Sequence, residues 1–389
     1  MNEQATTAED TQIVQIHHAV ADNEIQDLRE RLGKARLPEQ ATAPRWEQGV
    51  PLDYMRDLIS YWRENYNWRR LETELNTRGQ FRTVIDGLAI DFLHIRSNRP
   101  DARPLIITHG WPGSLVETLD VIDALTNPPA DQPAFHLVLP SLPGFGLSEK
   151  PTEMGWGIER IADAWVVLME RLGYMRFLAQ GGDWGAMVTI TLAIRHPDRV
   201  AMMHTSVPWA PRPENFADGD LTPLERSWLE SYAEFGRSGR GYAFQQSTRP
   251  QTIGYALDDS PVALLAWLVE KFYEFSDTED SPEEAISRDR LLDNVSLYWF
   301  GRAGASAARL YWESFRGLGM PDQSTPVLVP SAVTVFPKDL QKQPRAWVEE
   351  RYPDLRYWSV AVHGGHFPML EVPEIFTAEM REAFSHAGE

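Results

Sequence analysis

The segment Gly181-Gly182-Asp183-Trp184-Gly185 constrains the fold more than any other part of the sequence. It lies between an apolar run at 176–180, which is typical of a buried strand, and a helical run at 186–195. Glycines on both sides of Asp183 favour a sharp strand-to-helix turn, because such a turn leaves no room for side chains. The pattern predicts that Asp183 is presented at the edge of a sheet as a nucleophile. The alternative is a tight turn in which Asp183 only caps the helix.

Apolar strands alternate with helices on both sides of this turn. Strands are predicted at 81–85, 88–96, 105–108, 135–139, 176–180, 327–336 and 355–362, and helices at 159–172 and 186–195. This alternation predicts an α/β fold with a mostly parallel central sheet.

Four segments are expected along the chain. Residues 1–78 read as an N-terminal helical extension, with an N-cap at Asp22 and a second helix at 52–67 whose aromatic residues predict burial. Residues 79–207 form the first part of the core, 208–320 a helical cap inserted between strands, and 321–389 the second part of the core. In the cap, helices are predicted at 261–274, 291–300 and 305–314.

Two further loops follow predicted strands. His109-Gly110-Trp111-Pro112-Gly113-Ser114 stands where α/β-hydrolases place one oxyanion-hole amide, and the residue after the nucleophile supplies the other. These backbone amides would belong to Trp111 and Trp184. His109 is expected to pack the loop, and an ordinary loop is the alternative.

The last loop, His363-Gly364-Gly365-His366-Phe367-Pro368, offers two histidines that could reach the turn at Asp183. His366 is favoured because the Gly-Gly pair would present it, whereas His363 belongs to the end of a strand. Asp339, in Phe336-Pro337-Lys338-Asp339-Leu340, gives the order of nucleophile, acid and base that this fold uses. A structural histidine and a surface Asp339 are the alternatives. A metal site is disfavoured, because no third ligand stands at a recognisable spacing.

An aspartate at the turn predicts a different chemistry from a serine. Its reference pKa is about 3.9, so it is an anion at neutral pH without help from a base. A carboxylate suits displacement at a saturated carbon that bears a leaving group, which would leave an alkyl ester on Asp183. Water activated by His366 would hydrolyse this ester, with Asp339 orienting the imidazole and the two amides stabilising the tetrahedral centre.

Epoxide opening and the cleavage of a carbon–halogen bond both fit this scheme. An epoxide oxygen leaves as an alkoxide and gains from a proton donor such as a tyrosine, whereas a halide needs only weak donors. The cap contains six tyrosines: Tyr232, Tyr242, Tyr255, Tyr273, Tyr298 and Tyr311. Composition alone does not select two of them.

The composition excludes several classes of partner. The 389 residues carry a net charge of −19, which disfavours nucleic acid and anionic membranes because both require a basic surface. Without cysteine, disulfides, thiolate catalysis and cysteine-ligated metals are excluded. No run of about 18 apolar residues occurs, and residues 1–12 do not resemble a signal peptide, so we expect a soluble, cytoplasmic protein.

Together, these motifs resemble those of the microsomal-type epoxide hydrolases of the α/β-hydrolase fold, over nearly the whole chain. The resemblance rests on the loop at 109–114, the turn at 181–185, the acid segment at 336–340 and Gly364-Gly365-His366-Phe367. It extends to Ile59-Ser60-Tyr61-Trp62-Arg63 and Asn67-Trp68-Arg69 in the N-terminal segment.

The resemblance implies roles for five catalytic residues. Asp183 would be the nucleophile, His366 the base and Asp339 the acid that orients it. Tyr242, in Gly241-Tyr242 upstream of Thr248-Arg249-Pro250, and Tyr311, in Arg309-Leu310-Tyr311, would activate the epoxide.

The resemblance also implies partners and a setting. It indicates an enzyme without a cofactor or a metal, whose partners are a small-molecule epoxide and water and whose product is a vicinal diol. Eukaryotic members carry a membrane anchor that is not visible here, so the chain looks like a soluble bacterial member. Such enzymes occur in catabolism and in natural-product pathways, including those of enediyne antibiotics. The aromatic-rich sequence favours a bulky or aromatic epoxide.

Two alternatives to this function stay open. Haloalkane dehalogenases share the aspartate turn, although they usually lack the tyrosine pair and the N-terminal extension. A hydrolase-fold binding protein without activity is the other alternative. The sequence leaves the oligomeric state undecided, with a homodimer among the options.

Overall fold

One sheet of nine strands organises the part of the chain that the computed structural model describes, residues 11–315 and 324–388 without the side chain of Asp218. The strands are β1 (Val14–Gln15), β2 (Gln80–Ile85), β3 (Leu88–Ile95), β4 (Arg103–Thr108), β5 (Phe135–Pro140), β6 (Phe177–Gly181), β7 (Val200–Thr205), β8 (Ser331–Val335) and β9 (Leu355–Val360). Their order in the sheet is β1-β2-β3-β5-β4-β6-β7-β8-β9. The first three pairings are antiparallel, and the pairings from β5 to β9 are parallel. The predicted α/β class with a mostly parallel sheet is confirmed.

Helices cover the sheet and build the cap. They are α1 (Asp22–Gly33), α2 (Leu52–Glu64), α3 (Trp68–Thr77), α4 (Ile122–Thr126), α5 (Ile158–Arg171), α6 (Asp183–Arg195), α7 (Pro223–Ser238), α8 (Gly241–Thr248), α9 (Pro250–Asp259), α10 (Pro261–Phe275), α11 (Arg288–Gly301), α12 (Gly304–Ser314), α13 (Arg345–Arg351), α14 (Pro368–Glu371) and α15 (Pro373–Ser385). Short 3₁₀ helices span Leu115–Val121, Asp218–Asp220 and Pro282–Glu284. Within the described ranges, no helix is both long and apolar enough to cross a lipid bilayer.

Helices α7 to α12 lie between β7 and β8 in the chain, and the described residues between these strands form no other strand. This agrees with the helical block expected at 208–320. The expected end of the cap, between 320 and 321, lies outside the described residues, as do positions 1–10 of the polar start. The three boundaries between the four segments therefore stay predictions.

The N-terminal helices α2 and α3 pack against the cap helix α11. The indole Nε1 of Trp62 donates to the Ser296 hydroxyl at 2.9 Å, and the Tyr66 hydroxyl donates to Oδ1 of Asp293 at 2.8 Å. Both aromatic side chains are buried. The predicted burial of this aromatic-rich segment is confirmed, and α11 is the surface that covers it.

Several predicted element ends differ from the observed ones, and three of these differences have a local cause. The N-cap of α1 is Ala21, because Asp22 is already helical and its carboxylate pairs with Arg69. The helix expected at 52–67 ends at Glu64, since Asn67 caps a new helix by accepting the Arg69 N–H at 3.1 Å. The strand expected at 327–336 is restricted to β8, because Pro330 has no N–H for the ladder.

Candidate active site

The turn between β6 and α6 presents Asp183 in a left-handed backbone conformation, with a φ of 50°. A residue other than glycine is strained there, and such strain is tolerated where the surrounding structure fixes it. The glycines make the turn sterically possible. A Cβ at Gly181 would overlap the carbonyl of Gly185, and a Cβ at Gly185 would overlap the carbonyl of Thr108. Asp183 opens α6, where the helix dipole favours a negative charge.

The loop after β4 holds the carboxylate from one side. The backbone N–H of Trp111 donates to Oδ1 of Asp183 at 2.8 Å, as expected of an oxyanion-hole amide. Cap helix α11 fixes this loop, because Asn294 Nδ2 donates to the Pro112 carbonyl at 2.8 Å and the Tyr298 hydroxyl to the Gly113 carbonyl at 2.8 Å. Tyr298 is therefore a packing tyrosine of the cap.

His109 supports the same loop from inside the core. Its Nε2 accepts the N–H of Leu142 at 3.1 Å, and burial lowers the pKa of His109 to about 4. The side chain is therefore neutral, as a structural acceptor must be.

The loop after β9 places His366 between two carboxylates. Its Nδ1 lies 2.9 Å from Oδ1 of Asp339, and its Nε2 lies 3.3 Å from Oδ2 of Asp183. His366 and Asp339 are both buried. Nε2 makes no hydrogen bond within the described part of the chain, so its contact with Asp183 is electrostatic. His363, the other candidate, is exposed in the loop after β9, which ends at Val360, so its expected place at the end of the strand was wrong.

The charge state of His366 follows from these neighbours. Burial alone would lower the pKa of His366, but the negative charges and contacts of Asp339 and Asp183 outweigh it and raise this pKa well above its ordinary value. With Asp183 free, the two carboxylates therefore favour the imidazolium form of His366.

Glu371, which sequence reasoning missed, anchors the histidine loop. Its carboxylate accepts the backbone N–H groups of Gly365 at 2.9 Å, Phe367 at 2.8 Å and Asp277 at 2.7 Å. The His366 N–H donates to the Phe275 carbonyl at 2.9 Å, at the end of cap helix α10. The histidine is thus fixed between core and cap. An acid five residues after His366 was the only sequence signal.

The two predicted tyrosines come from different cap helices, α8 and α12, and contact the tryptophans on either side of the nucleophile. The Tyr242 ring is stacked on Trp111 with centroids 4.8 Å apart, and the Tyr311 ring meets Trp184 edge-on at 4.6 Å. The two tyrosine rings lie 5.9 Å apart. Burial, reinforced by the charge of Asp183, raises the pKa of both phenols, so both remain protonated donors at neutral pH.

The remaining predicted site residue is Trp184, whose buried indole forms a wall beside Tyr311. Its backbone amide as the second oxyanion-hole donor stays a prediction. A second residue that sequence reasoning missed is Glu117, whose buried carboxyl group lines the same cavity as Asp183 and His366. Among residues 11–315 and 324–388, no cluster of three or more histidine or acidic side chains could hold a metal.

Comparison with known proteins identifies the family. Residues 13–118 match the family model of the epoxide hydrolase N terminus, and residues 103–252 match that of the α/β hydrolase fold. Epoxide hydrolase 1 of Sus scrofa is 34% identical over 408 residues, which cover 96% of this chain and 89% of the pig protein. This chain belongs to the epoxide hydrolases.

Other relatives of this epoxide hydrolase support the same family assignment. A Stigmatella aurantiaca protein that is provisionally named an epoxide hydrolase is 47% identical over 94% of this chain and 83% of its own. The crystal structure of the juvenile hormone epoxide hydrolase from the silkworm Bombyx mori matches with a TM-score of 0.91 and 30% identity, over 97% of this chain and 95% of that one. The Aspergillus niger epoxide hydrolase matches with a TM-score of 0.87 and 29% identity, over 98% of both chains. The family resemblance and the α/β-hydrolase fold are confirmed.

Proposed function

We propose that this epoxide hydrolase converts its substrate to a vicinal diol through an alkyl ester of Asp183. The observation that carries the proposal is the position of one carboxylate between three sets of groups. The Trp111 amide holds Oδ1, His366 lies beside Oδ2, and the rings of the two cap tyrosines contact Trp111 and Trp184 next to it. A nucleophile, a base and two proton donors are the groups that both half-reactions need.

In the first half-reaction, Asp183 attacks an epoxide carbon. The C–O bond breaks, and its oxygen takes a proton from Tyr242 or Tyr311. Since burial keeps both phenols protonated, a donor is present over the whole neutral range. General acid assistance of this kind contributes about 10²–10⁴-fold.

In the second half-reaction, water attacks the ester carbonyl of Asp183. Esterification removes the Asp183 charge, which is one of the two negative charges that raise the pKa of His366. The pKa of His366 therefore falls, so its proton can pass to the tyrosinate that the first half-reaction leaves, and the neutral imidazole can then take a proton from water. Asp339 stays at 2.9 Å and stabilises the imidazolium that forms. The amides of Trp111 and Trp184 would stabilise the tetrahedral oxyanion.

The walls around the nucleophile favour an apolar substrate. Trp111, Trp184, Tyr242, Tyr311 and Phe315 form one connected set of ring contacts there. Flat aromatic walls suit a bulky or aromatic epoxide, because stacking adds to the burial of apolar surface. By its family resemblance, we propose that the enzyme acts in catabolism or in a natural-product pathway such as that of an enediyne antibiotic. The proposed enzyme is cytoplasmic and forms a homodimer.

Product analysis separates the proposal from its alternatives. Purified enzyme incubated with styrene oxide should release the diol, and incubation with a haloalkane such as 1-bromobutane should release no halide. Halide release without diol would establish a dehalogenase instead. Neither product, from styrene oxide or from a panel of larger aryl epoxides, would favour a binding protein.

A further inference from the structure

Glu117 is a buried acid that the mechanism above does not use. It lies in the 3₁₀ helix Leu115–Val121, directly after the loop that holds Asp183. Its carboxyl group packs against Gly113, where a Cβ would overlap Oε1. Oε1 is fully buried and has no hydrogen-bond partner within the described residues. Leaving such a group unpaired is costly, so buried polar atoms of this kind normally have a protein or water partner.

The cavity beside Glu117 has room for a water molecule as the hydrogen-bond partner. Glu117, Asp183 and His366 line one small cavity, in which about 10 Å³ is open to the centre of a water molecule. A space of this size holds about one water, provided that two or more polar groups face it. Nε2 of His366 also has no hydrogen bond within the described part of the chain. Glu117 and His366, which each carry a buried atom without a hydrogen-bond partner, therefore line a space for one water next to the carboxyl group that becomes an ester.

The charge of Glu117 suits this position. Burial, together with the nearby negative charge of Asp183, raises the pKa of Glu117 to about 8, although His366 acts in the opposite direction. The carboxyl group is therefore mainly neutral at pH 7. A neutral carboxyl group offers one acceptor and one donor, and it does not add a second anion beside the nucleophile.

We propose that Glu117 is a further catalytic residue, which holds the hydrolytic water between its carboxyl group and Nε2 of His366. The inference rests on the proposed ester at Asp183. In the step concerned, the water oxygen bonds to the carboxyl carbon of Asp183 and its proton passes to Nε2 of His366. The ester C–O bond then breaks, and the proton passes from Nε2 to the diol oxygen. The second proton of the water remains on the Asp183 carboxyl group and passes from there to Nε2 of His366, which restores the carboxylate. Glu117 orients the water and leaves the cycle unchanged.

The test compares the two half-reactions in Glu117→Met, which keeps the length of the side chain and removes its hydrogen bonds. Ester hydrolysis should slow about tenfold or more, which corresponds to the loss of one buried hydrogen bond. Formation of the ester should stay within about threefold of wild type, so the protein–substrate adduct should accumulate in intact-protein mass spectra of a rapid-quench series. Glu117→Gln keeps a neutral donor and acceptor and should hydrolyse the ester within about threefold of wild type.

Thr118→Val is the matched control. Thr118 is buried on the same 3₁₀ helix, and its hydroxyl donates only to the Leu115 carbonyl at 2.7 Å. This variant should not accumulate the adduct. Wild-type ester hydrolysis in Glu117→Met, or an equal loss in both half-reactions, would overturn the role of Glu117. A loss in Glu117→Gln as large as that in Glu117→Met would also contradict it.

Failure of the underlying mechanism gives a different result. If Asp183 forms no ester, His366→Gln will also show no adduct. An adduct in His366→Gln but none in Glu117→Met would reject the role of Glu117 alone.

Discussion

Oδ2 of Asp183 lies 3.3 Å from Nε2 of His366, although the two atoms share no hydrogen bond. The carboxylate therefore keeps one oxygen free to attack, because the Trp111 amide holds only the other. The same contact lets the charge of Asp183 control the pKa of His366. One pair of atoms thus links the nucleophile of the first half-reaction to the base of the second.

Replacing His366 should separate the two half-reactions. His366→Gln should still form the ester, because Asp183 attacks without a base. The variant should not hydrolyse this ester. Intact-protein mass spectrometry after incubation with styrene oxide should show protein plus substrate. His363→Gln is the matched control, since His363 is exposed and lies three residues away, and it should turn over normally. The reverse pattern would assign the base role to His363.

The tyrosine pair should affect only ester formation. Tyr242→Phe and Tyr311→Phe should each slow this step, by up to about 10²-fold, and the double variant should nearly abolish it. Rapid-quench measurement of the adduct gives the rate directly. Tyr255→Phe is a suitable control, because Tyr255 is a cap tyrosine with an exposed side chain. Unchanged rates in both single variants would reject the donor assignment.

The pH profile of ester hydrolysis should depend on Asp339. Hydrolysis requires neutral His366, so its rate falls as the pH drops through the pKa of this residue in the ester form. Asp339 raises that pKa, so Asp339→Asn should move the acidic limb to lower pH. The maximal rate should also fall, by about 10²-fold or more, because the imidazolium loses its partner. Single-turnover rates between pH 5 and pH 9 measure both effects; a shift to higher pH would contradict the account.

The glycines of the turn should be required for folding. Gly185→Ala would place a Cβ against the Thr108 carbonyl, and a loss of about 3 kcal/mol or more in the free energy of unfolding is expected. Gly236→Ala is the control, because this exposed residue of α7 has open space around its Cβ position. The free energy of unfolding of Gly236→Ala should rise by up to about 1 kcal/mol. Urea denaturation compares the two, and equal stabilities would contradict the geometry of the turn.

The sequence predicted the parts of this molecule that local patterns encode. The glycines around Asp183 predict the turn, and the apolar runs on either side predict the strands of the sheet. The predicted helix extended past the end of α2 because the aromatic pattern continues through Tyr66. Tyr66 lies beyond α2, and its side chain is buried against α11.

The supporting acids could not be predicted for a different reason. Glu117 and Glu371 look like ordinary polar residues in the sequence, and only packing between distant segments buries them. The choice of Tyr242 and Tyr311 among the cap tyrosines required the family resemblance. Their ring contacts with Trp111 and Trp184 depend on how α8 and α12 lie over the sheet.

The most direct test of the central claim follows one oxygen atom. A single turnover in ¹⁸O-water, with enzyme in excess over epoxide, should leave the diol largely unlabelled, because its new oxygen comes from the Asp183 carboxylate. Water attacks the ester carbonyl of Asp183, so a peptide that contains Asp183 should carry the label. Mass spectrometry of the diol and of the digested enzyme measures both. Labelled diol from the first turnover, together with an unlabelled Asp183 peptide, would show that water attacks the epoxide directly and would contradict the account.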